Sequence, residues 1–135
     1  MTYEEMIKLA AKTKQRKKPS DDEHKIQCAC VRWFRLQYPK FRNILFAVPN
    51  AARRSARNGD YMKEEGMTPG VADLILLKSN RFYGSLCVEM KKPGKYQRHV
   101  QKEWQKDAEA NGAKYVVCRS LDEFMKVVTD YLNDV

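Results

Sequence analysis

The chain has 135 residues, a hydrophobic fraction of 43% and a formal net charge of +9. This length suits one domain with its own core, and no apolar run approaches the roughly 20 residues of a membrane span, so we expect a soluble, cytoplasmic protein with no membrane partner. Residues 107–135 carry six acids against three bases, so the positive excess lies upstream of them. Such a distribution favours a polyanionic partner, nucleic acid ahead of an anionic membrane.

Residues 1–19 form a basic N-terminal arm that precedes the domain proper, residues 20–135. Met6, Leu9 and Ala10 recur at helical spacing and predict a short, weakly amphipathic helix. The basic run 12–18 follows it. This arm is either a solvated extension or a segment that contacts phosphates, and the sequence leaves both open.

A helix is predicted from Ser20, where Ser20 and Glu23 have the spacing of a capping box, to Pro39. On this pattern Glu23 is a helix cap. The buried face of this helix is formed by apolar side chains at i, i+3 and i+4 intervals. These are Ile26, Ala29, Cys30, Trp33, Phe34 and Tyr38.

A short apolar strand over residues 44–48 follows and ends at Pro49-Asn50. Arg53, Arg54 and Arg57 then lead into a polar helix that should end before Gly66. These arginines either form a solvated helix face or bind phosphates, since a guanidinium presents a planar fork of donors.

A hairpin over residues 71–91 holds the most unusual charges of the chain. After a Pro69-Gly70 turn, the apolar run from Val71 to Leu77 predicts a buried strand with Asp73 near its start, and the chain turns at Ser79-Asn80. The returning strand ends in Glu89 and Lys91, which alternation places on one face with Met90 on the other. If the strands pair antiparallel, Asp73 lies near Glu89. Burying these groups is costly unless something, usually a metal ion, uses them.

The remainder predicts a helix from about Tyr96 to Ala110, a buried strand over 114–118 and a final helix capped by Ser120. In the first of these helices Gln97, Gln101 and Gln105 occupy one stripe. The last helix presents Leu121, Phe124, Val128 and Leu132 as its apolar face. The element order predicts an α/β fold with a mixed central sheet flanked by helices on both faces.

The four cysteines are scattered, which favours reduced core thiols over a disulfide framework. His24 and Cys28 stand at i,i+4 and would need two distant partners to bind zinc. No second Cys-x-x-Cys or His pair supplies them.

The hairpin residues suit the hydrolysis of a phosphodiester. Mg²⁺ prefers oxygen ligands and keeps several waters, so Asp73, Glu89 and the backbone carbonyl of Met90 would suffice to hold it. Lys91 could orient or deprotonate the attacking water, or neutralise charge in the transition state.

Pro69-Gly70-Val71-Ala72-Asp73 followed by Glu89-Met90-Lys91 resembles the PD-(D/E)XK nuclease superfamily, and within it the virus-type replication-repair nuclease (VRR-NUC) family. The resemblance covers roughly residues 20–125. It extends to Glu23-x-x-x-Gln27, Pro49-Asn50, Arg53-Arg54, Gly66, Gln101-x-x-Trp104 and Gly112. Ala72 departs from the superfamily's proline, and Arg98 stands where relatives often have a serine.

The resemblance implies a restriction-endonuclease-like αβββαβ core. Asp73 and Glu89 would bind Mg²⁺ or Mn²⁺, Lys91 would assist the water, Glu23 would be a further acid at the metal, and Gln101 would position Lys91 or substrate. DNA would contact basic side chains around this site, namely Arg53, Arg54, Arg57, Lys92, Lys95 and Arg98.

Short members of the family tend to be phage-like homodimers that cut branched DNA such as four-way junctions, so the resemblance implies a structure-selective endonuclease. The alternative is a non-catalytic nucleic-acid-binding module that retains the fold.

Overall fold

A computed structural model describes residues 2–14, 22–49 and 56–135. The helices are α1 (Tyr3–Lys14), α2 (Asp22–Gln37), α3 (Ala56–Glu64), α4 (His99–Ala110) and α5 (Leu121–Asn133), with a 3₁₀ segment at Pro39–Ile44. The strands are β1 (Leu45–Ala47), β2 (Leu74–Leu76), β3 (Ser85–Met90) and β4 (Ala113–Cys118). The predicted order of elements is confirmed.

The four strands form one mixed sheet in the order β1-β2-β3-β4. The β1–β2 and β2–β3 pairs are antiparallel, and β4 runs parallel to β3. A parallel neighbour requires a crossover connection, which α4 supplies. Strand β3 is therefore a central strand, hydrogen-bonded on both edges.

The main core lies between one face of the sheet and helices α2 and α5. Leu86, Val88 and Met90 alternate along β3 toward this face. Phe34 of α2 and Phe124 of α5 pack against them, fully buried. This confirms the predicted apolar stripes of both helices.

A smaller core on the opposite face joins the sheet to α4. Cys87 and Tyr115 are buried there, and Trp104 of α4 packs against them with its ring centroid 6.1 Å from that of Tyr115. Helices therefore cover both faces of the mixed sheet, as the element order predicts.

The Pro69-Gly70 turn meets the first turn of α4 at very close range. Gly70 has φ +85°, and a Cβ built on it would lie 2.8 Å from the carbonyl carbon of Val100 and closer still to its oxygen. Only a glycine allows this approach without displacing one backbone from the other.

Two predicted boundaries differ from the structure. Strand β2 begins at Leu74 rather than Val71, and α4 begins at His99 rather than Tyr96. The segment before each element carries a turn, at Gly70 and at Gly94, each with positive φ. Within the described ranges, none of the helices combines the length and apolarity needed to cross a bilayer.

Candidate active site

The antiparallel register of β2 and β3 brings two carboxylates together. Leu74 pairs with Val88, so Asp73, one residue before, stands opposite Glu89. Asp73 Oδ2 also accepts a 2.7 Å hydrogen bond from the backbone N–H of Met90. The predicted proximity of Asp73 and Glu89 is confirmed.

Glu89 is only 2% exposed and is held by side chains from three directions. Its Oε1 accepts a 2.8 Å hydrogen bond from Gln101 Nε2 and lies 3.8 Å from Lys91 Nζ. Its Oε2 lies 3.5 Å from the Tyr115 hydroxyl. Lys91 is itself buried on the same face as Glu89, while Met90 enters the opposite core, as the strand alternation predicts.

The electrostatics of this cluster favour a proton on its carboxylates when no cation is present. Burial, followed by the charge of Asp73, raises the pKa of Glu89 from 4.5 to about 8, although Lys91 opposes the shift. Burial also raises the pKa of Asp73, against the opposing hydrogen bond from Met90. The ionised forms of Asp73 and Glu89 therefore need more neighbouring positive charge than Lys91 alone provides.

Gln101 connects the acidic cluster to the start of α4. While its Nε2 donates to Glu89, its Oε1 accepts a 2.8 Å bond from the N–H of Arg98, the N-cap residue. An arginine side chain has no acceptor, so Arg98 cannot complete a reciprocal capping box. The sequence resemblance implies that Gln101 positions Lys91 or substrate. In the structure its side-chain amide instead donates to Glu89.

A chain of polar side chains continues behind Glu89. Gln97 Nε2 donates to the Tyr115 hydroxyl at 3.1 Å and to Gln105 Oε1 at 2.9 Å. The glutamine stripe is visible in the sequence, but Tyr115 reads there as an ordinary strand residue. Its role emerges only from the parallel pairing of β4 with β3, which sets Tyr115 opposite Cys87.

Glu23 reaches the edge of this cluster. Its Oε1 accepts a 3.2 Å hydrogen bond from the backbone N–H of Lys92, and its charge adds to the raised pKa of Asp73. Ser20, its predicted capping partner, lies outside the described residues. Across the described part of the chain, no group of three or more His, Cys, Asp or Glu side chains is placed to hold a metal. Glu23 thus stands beside the Asp73–Glu89 pair rather than within a three-carboxylate cluster.

The donor set nevertheless fits a hard divalent cation. The buried carboxylate of Glu89 and the half-buried one of Asp73 converge with a single lysine, and a cation would neutralise the charge that burial disfavours. Mg²⁺ and Mn²⁺ take oxygen ligands, and Mg²⁺ commonly binds through one or two carboxylates while keeping waters. Asp73, Glu89 and the carbonyl of Met90 are the groups that would hold it.

The predicted DNA-contacting residues are only partly described. Arg53 and Arg54 lie outside the described residues, and Arg57 lies in α3 with its side chain undescribed. Lys95 and Arg98 are exposed in the segment between the end of β3 and α4, and Lys92 is half-buried there.

Three of the four cysteines, Cys30, Cys87 and Cys118, are buried free thiols, which confirms the expectation of reduced core cysteines. Cys28 is exposed, and its Sγ lies 3.5 Å from His24 Nε2. In the described ranges no further ligand joins this pair to form a zinc site.

Neither a protein-family model nor a curated protein matches the sequence. The fold, in contrast, is similar to a solved structure, that of a "VRR_NUC domain protein". The similarity has a TM-score of 0.74 at 23% identity and covers 84% of this chain and 89% of the other. The chain therefore has the fold of a VRR_NUC domain protein, as its sequence resemblance implies.

Proposed function

We propose that this protein is a metal-dependent DNA endonuclease that hydrolyses phosphodiester bonds. The observation that carries the proposal is the β2–β3 register, which sets Asp73 against Glu89 with Lys91 Nζ 3.8 Å from Glu89 Oε1. Acidic side chains repel a phosphate unless a cation intervenes, so this pair is poorly suited to a surface that only binds DNA.

Each residue has a distinct task in this proposal. Asp73 and Glu89 hold Mg²⁺ or Mn²⁺, which when bound would stabilise negative charge on the phosphate. Lys91 orients the attacking water, or takes its proton at Nζ, and offsets developing charge. Gln101 holds Glu89 in place through its 2.8 Å hydrogen bond. Glu23 fixes the backbone at Lys92 and leaves its second oxygen for the site.

The proposed substrate is branched DNA such as a four-way junction, cut by a homodimer. This part rests on the VRR-NUC resemblance of the sequence and on the net charge of +9. A two-fold dimer presents two sites to two strands, which suits paired incisions.

The test is a cleavage panel of single-stranded, duplex, flap and four-way-junction DNA in Mg²⁺ and in Mn²⁺. Asp73→Asn keeps an acceptor for the Met90 N–H but loses the charge, and Lys91→Met keeps the apolar stem but loses the ammonium. We expect both to lose cleavage by about a hundredfold or more while binding DNA. Asp130→Asn and Lys126→Met are matched controls, since this exposed pair lies on α5.

Cleavage by Asp73→Asn and Lys91→Met at the control rate would refute the assignment. The alternative, a non-catalytic binding module, predicts that the wild-type protein nicks none of these substrates. It also predicts that EDTA leaves DNA affinity unchanged. Sedimentation of the protein with and without a junction tests the dimer.

A further inference from the structure

Residues 77–84, here called the tip loop, connect β2 to β3 and present exposed apolar side chains. Leu77 is 59% exposed, Phe82 64% and Tyr83 36%. None of these residues takes part in the carboxylate cluster. Phe82 and Tyr83 are consecutive exposed aromatic residues on one loop, which makes the loop a candidate interaction surface.

The tip loop is held in place by several hydrogen bonds. Asn80 Oδ1 accepts from the N–H groups of Phe82 and Tyr83 at 2.9 and 2.8 Å, and Asn80 Nδ2 donates to the Tyr131 carbonyl at 3.1 Å. The N–H of Arg81 donates to the Asp134 carbonyl at 2.7 Å, and the Tyr131 hydroxyl donates to the Lys78 carbonyl. The aromatic rings are thus presented on a fixed backbone, which lowers the entropic cost of binding a partner.

Cations flank both rings. The Arg81 guanidinium lies 5.4 Å from the Phe82 ring centroid, and Lys114 Nζ lies 5.6 Å from that of Tyr83. Asp134 is the acid that adjoins this group through its backbone bond to Arg81. Aromatic rings with adjacent Arg and Lys form the pattern that binds single-stranded nucleic acid, in which bases stack on rings and phosphates meet the cations.

The tip loop and the carboxylate cluster lie at opposite ends of β3. At about 3.3 Å per residue, Ser85 and Glu89 are roughly 13 Å apart, and the tip loop extends beyond Ser85. A nucleic acid that contacts both would span about 20 Å, the length of about six stacked bases at 3.4 Å each.

We propose that the tip loop binds unpaired nucleotides, by stacking a base on Phe82 and pairing phosphates with Arg81 and Lys114. In a duplex the faces of each base are covered by the neighbouring base pairs. The tip loop therefore suits bases that are already unstacked, as in single strands and at branch points. That the partner is nucleic acid rests on the proposed function. Beyond that function, the proposal identifies a second place on the protein where the substrate is bound, away from the carboxylate cluster.

The experiment measures binding separately from cleavage. The full chain with Asp73→Asn, kept in EDTA, is titrated into fluorescein-labelled single-stranded DNA and into blunt duplex, with fluorescence anisotropy as the readout. Phe82→Leu keeps an apolar side chain without a ring, and Phe82→Trp keeps a ring. We expect Phe82→Leu to weaken single-strand binding about tenfold, Phe82→Trp to retain it, and blunt-duplex binding to change less than twofold.

Two further measurements make the test specific. Arg81→Gln and Lys114→Gln should flatten the dependence of single-strand affinity on salt, because each removes a phosphate contact. A 2-aminopurine in the strand should be quenched by the parent and less by Phe82→Leu. Leu36→Ala, on α2, removes another exposed apolar side chain, 78% exposed, and should leave single-strand affinity unchanged.

Equal single-strand affinity of Phe82→Leu, Phe82→Trp and their parent would overturn the proposal. So would a loss shared equally by single-stranded and duplex DNA. A shift in sedimentation for Phe82→Ala without a change in DNA affinity would overturn it in favour of contact with a second copy. If the wild type cleaves DNA but Phe82→Leu binds single strands as tightly as its parent, only the tip-loop proposal is refuted. If the tip loop binds single strands selectively but the wild type does not cleave DNA, only the proposed endonuclease activity is refuted.

Discussion

Replacing Gly70 by alanine tests whether the turn before Asp73 is held against α4 by close backbone contact. The added Cβ would lie 2.8 Å from the carbonyl carbon of Val100 and 3.2 Å from the N of Gln101. Normal carbon contacts are about 3.5 to 4 Å, so the turn and helix must separate by several tenths of an ångström or more. Gln101 is the residue that holds Glu89, so the separation also disturbs the carboxylate cluster.

The expected loss has two parts. A residue with a side chain at positive φ costs about 1 to 2 kcal/mol, and forcing an extra carbon into a packed contact costs about 1 to 3 kcal/mol more. Gly94→Ala is the matched control, because Gly94 has φ +83° and nothing within 4 Å of the added Cβ. It should show the first part alone. The smaller entropy of the unfolded chain favours both variants equally.

The assay is urea denaturation followed by circular dichroism, with cleavage of the preferred substrate measured in parallel. We expect Gly70→Ala to lose about 2 kcal/mol more unfolding free energy than Gly94→Ala and to lose activity at a temperature where it is folded. Equal losses in the two variants would show that only backbone strain matters at Gly70, and would refute the close-contact reasoning.

Two further predictions concern the charges of the cluster. Because burial and Asp73 raise the pKa of Glu89 from 4.5 to about 8, the metal-free protein keeps the stability due to protonated Glu89 below about pH 4.5 and loses it as pH rises through about 8. Glu89→Gln cannot ionise. In EDTA its unfolding free energy should therefore rise relative to wild type between about pH 5 and pH 9, by up to about 5 kcal/mol in urea melts. Glu103→Gln, which removes an exposed carboxylate, is the control, and parallel profiles for Glu89→Gln and wild type would contradict the prediction. Gln101→Ala removes a donor that favours ionised Glu89, so cleavage should fall about tenfold and its pH–rate profile should shift to higher pH. A fall in rate with an unshifted profile would assign Gln101 a structural role only, and Gln105→Ala should not shift the profile.

The hairpin was accessible from the sequence because its signals are local. An acid at the start of one apolar run and a Glu-x-Lys at the end of the next fix both strands and, through alternation, their faces. The sequence leaves the direction of pairing open, and the antiparallel register of the structure brings Asp73 and Glu89 together.

Other parts of the site depend on contacts that spacing does not encode. Tyr115 reaches Glu89 only because β4 runs parallel to β3, and the Glu23 bond to the Lys92 N–H joins residues 69 apart in sequence. Gly70 reads as part of a Pro-Gly turn, yet its closest neighbour is the backbone of Val100. Tyr131 is fully buried, although it is not part of the apolar face predicted for the last helix. A buried tyrosine needs a hydrogen-bond partner for its hydroxyl, and here that partner is the Lys78 carbonyl, which helical spacing does not reveal.

The central position of β3 couples the integrity of the cluster to that of the whole domain. The N–H of Lys91 donates to the Cys118 carbonyl at 3.0 Å, and β2 occupies the other edge of the strand. The β2 pairing ends at Val88, and Glu89 and Lys91 are held beyond it by β4, so their amides should be protected from hydrogen exchange as long as β4 stays paired. During synthesis the same pairing cannot form until β4 has emerged, so a nascent chain acquires the complete cluster only after that point.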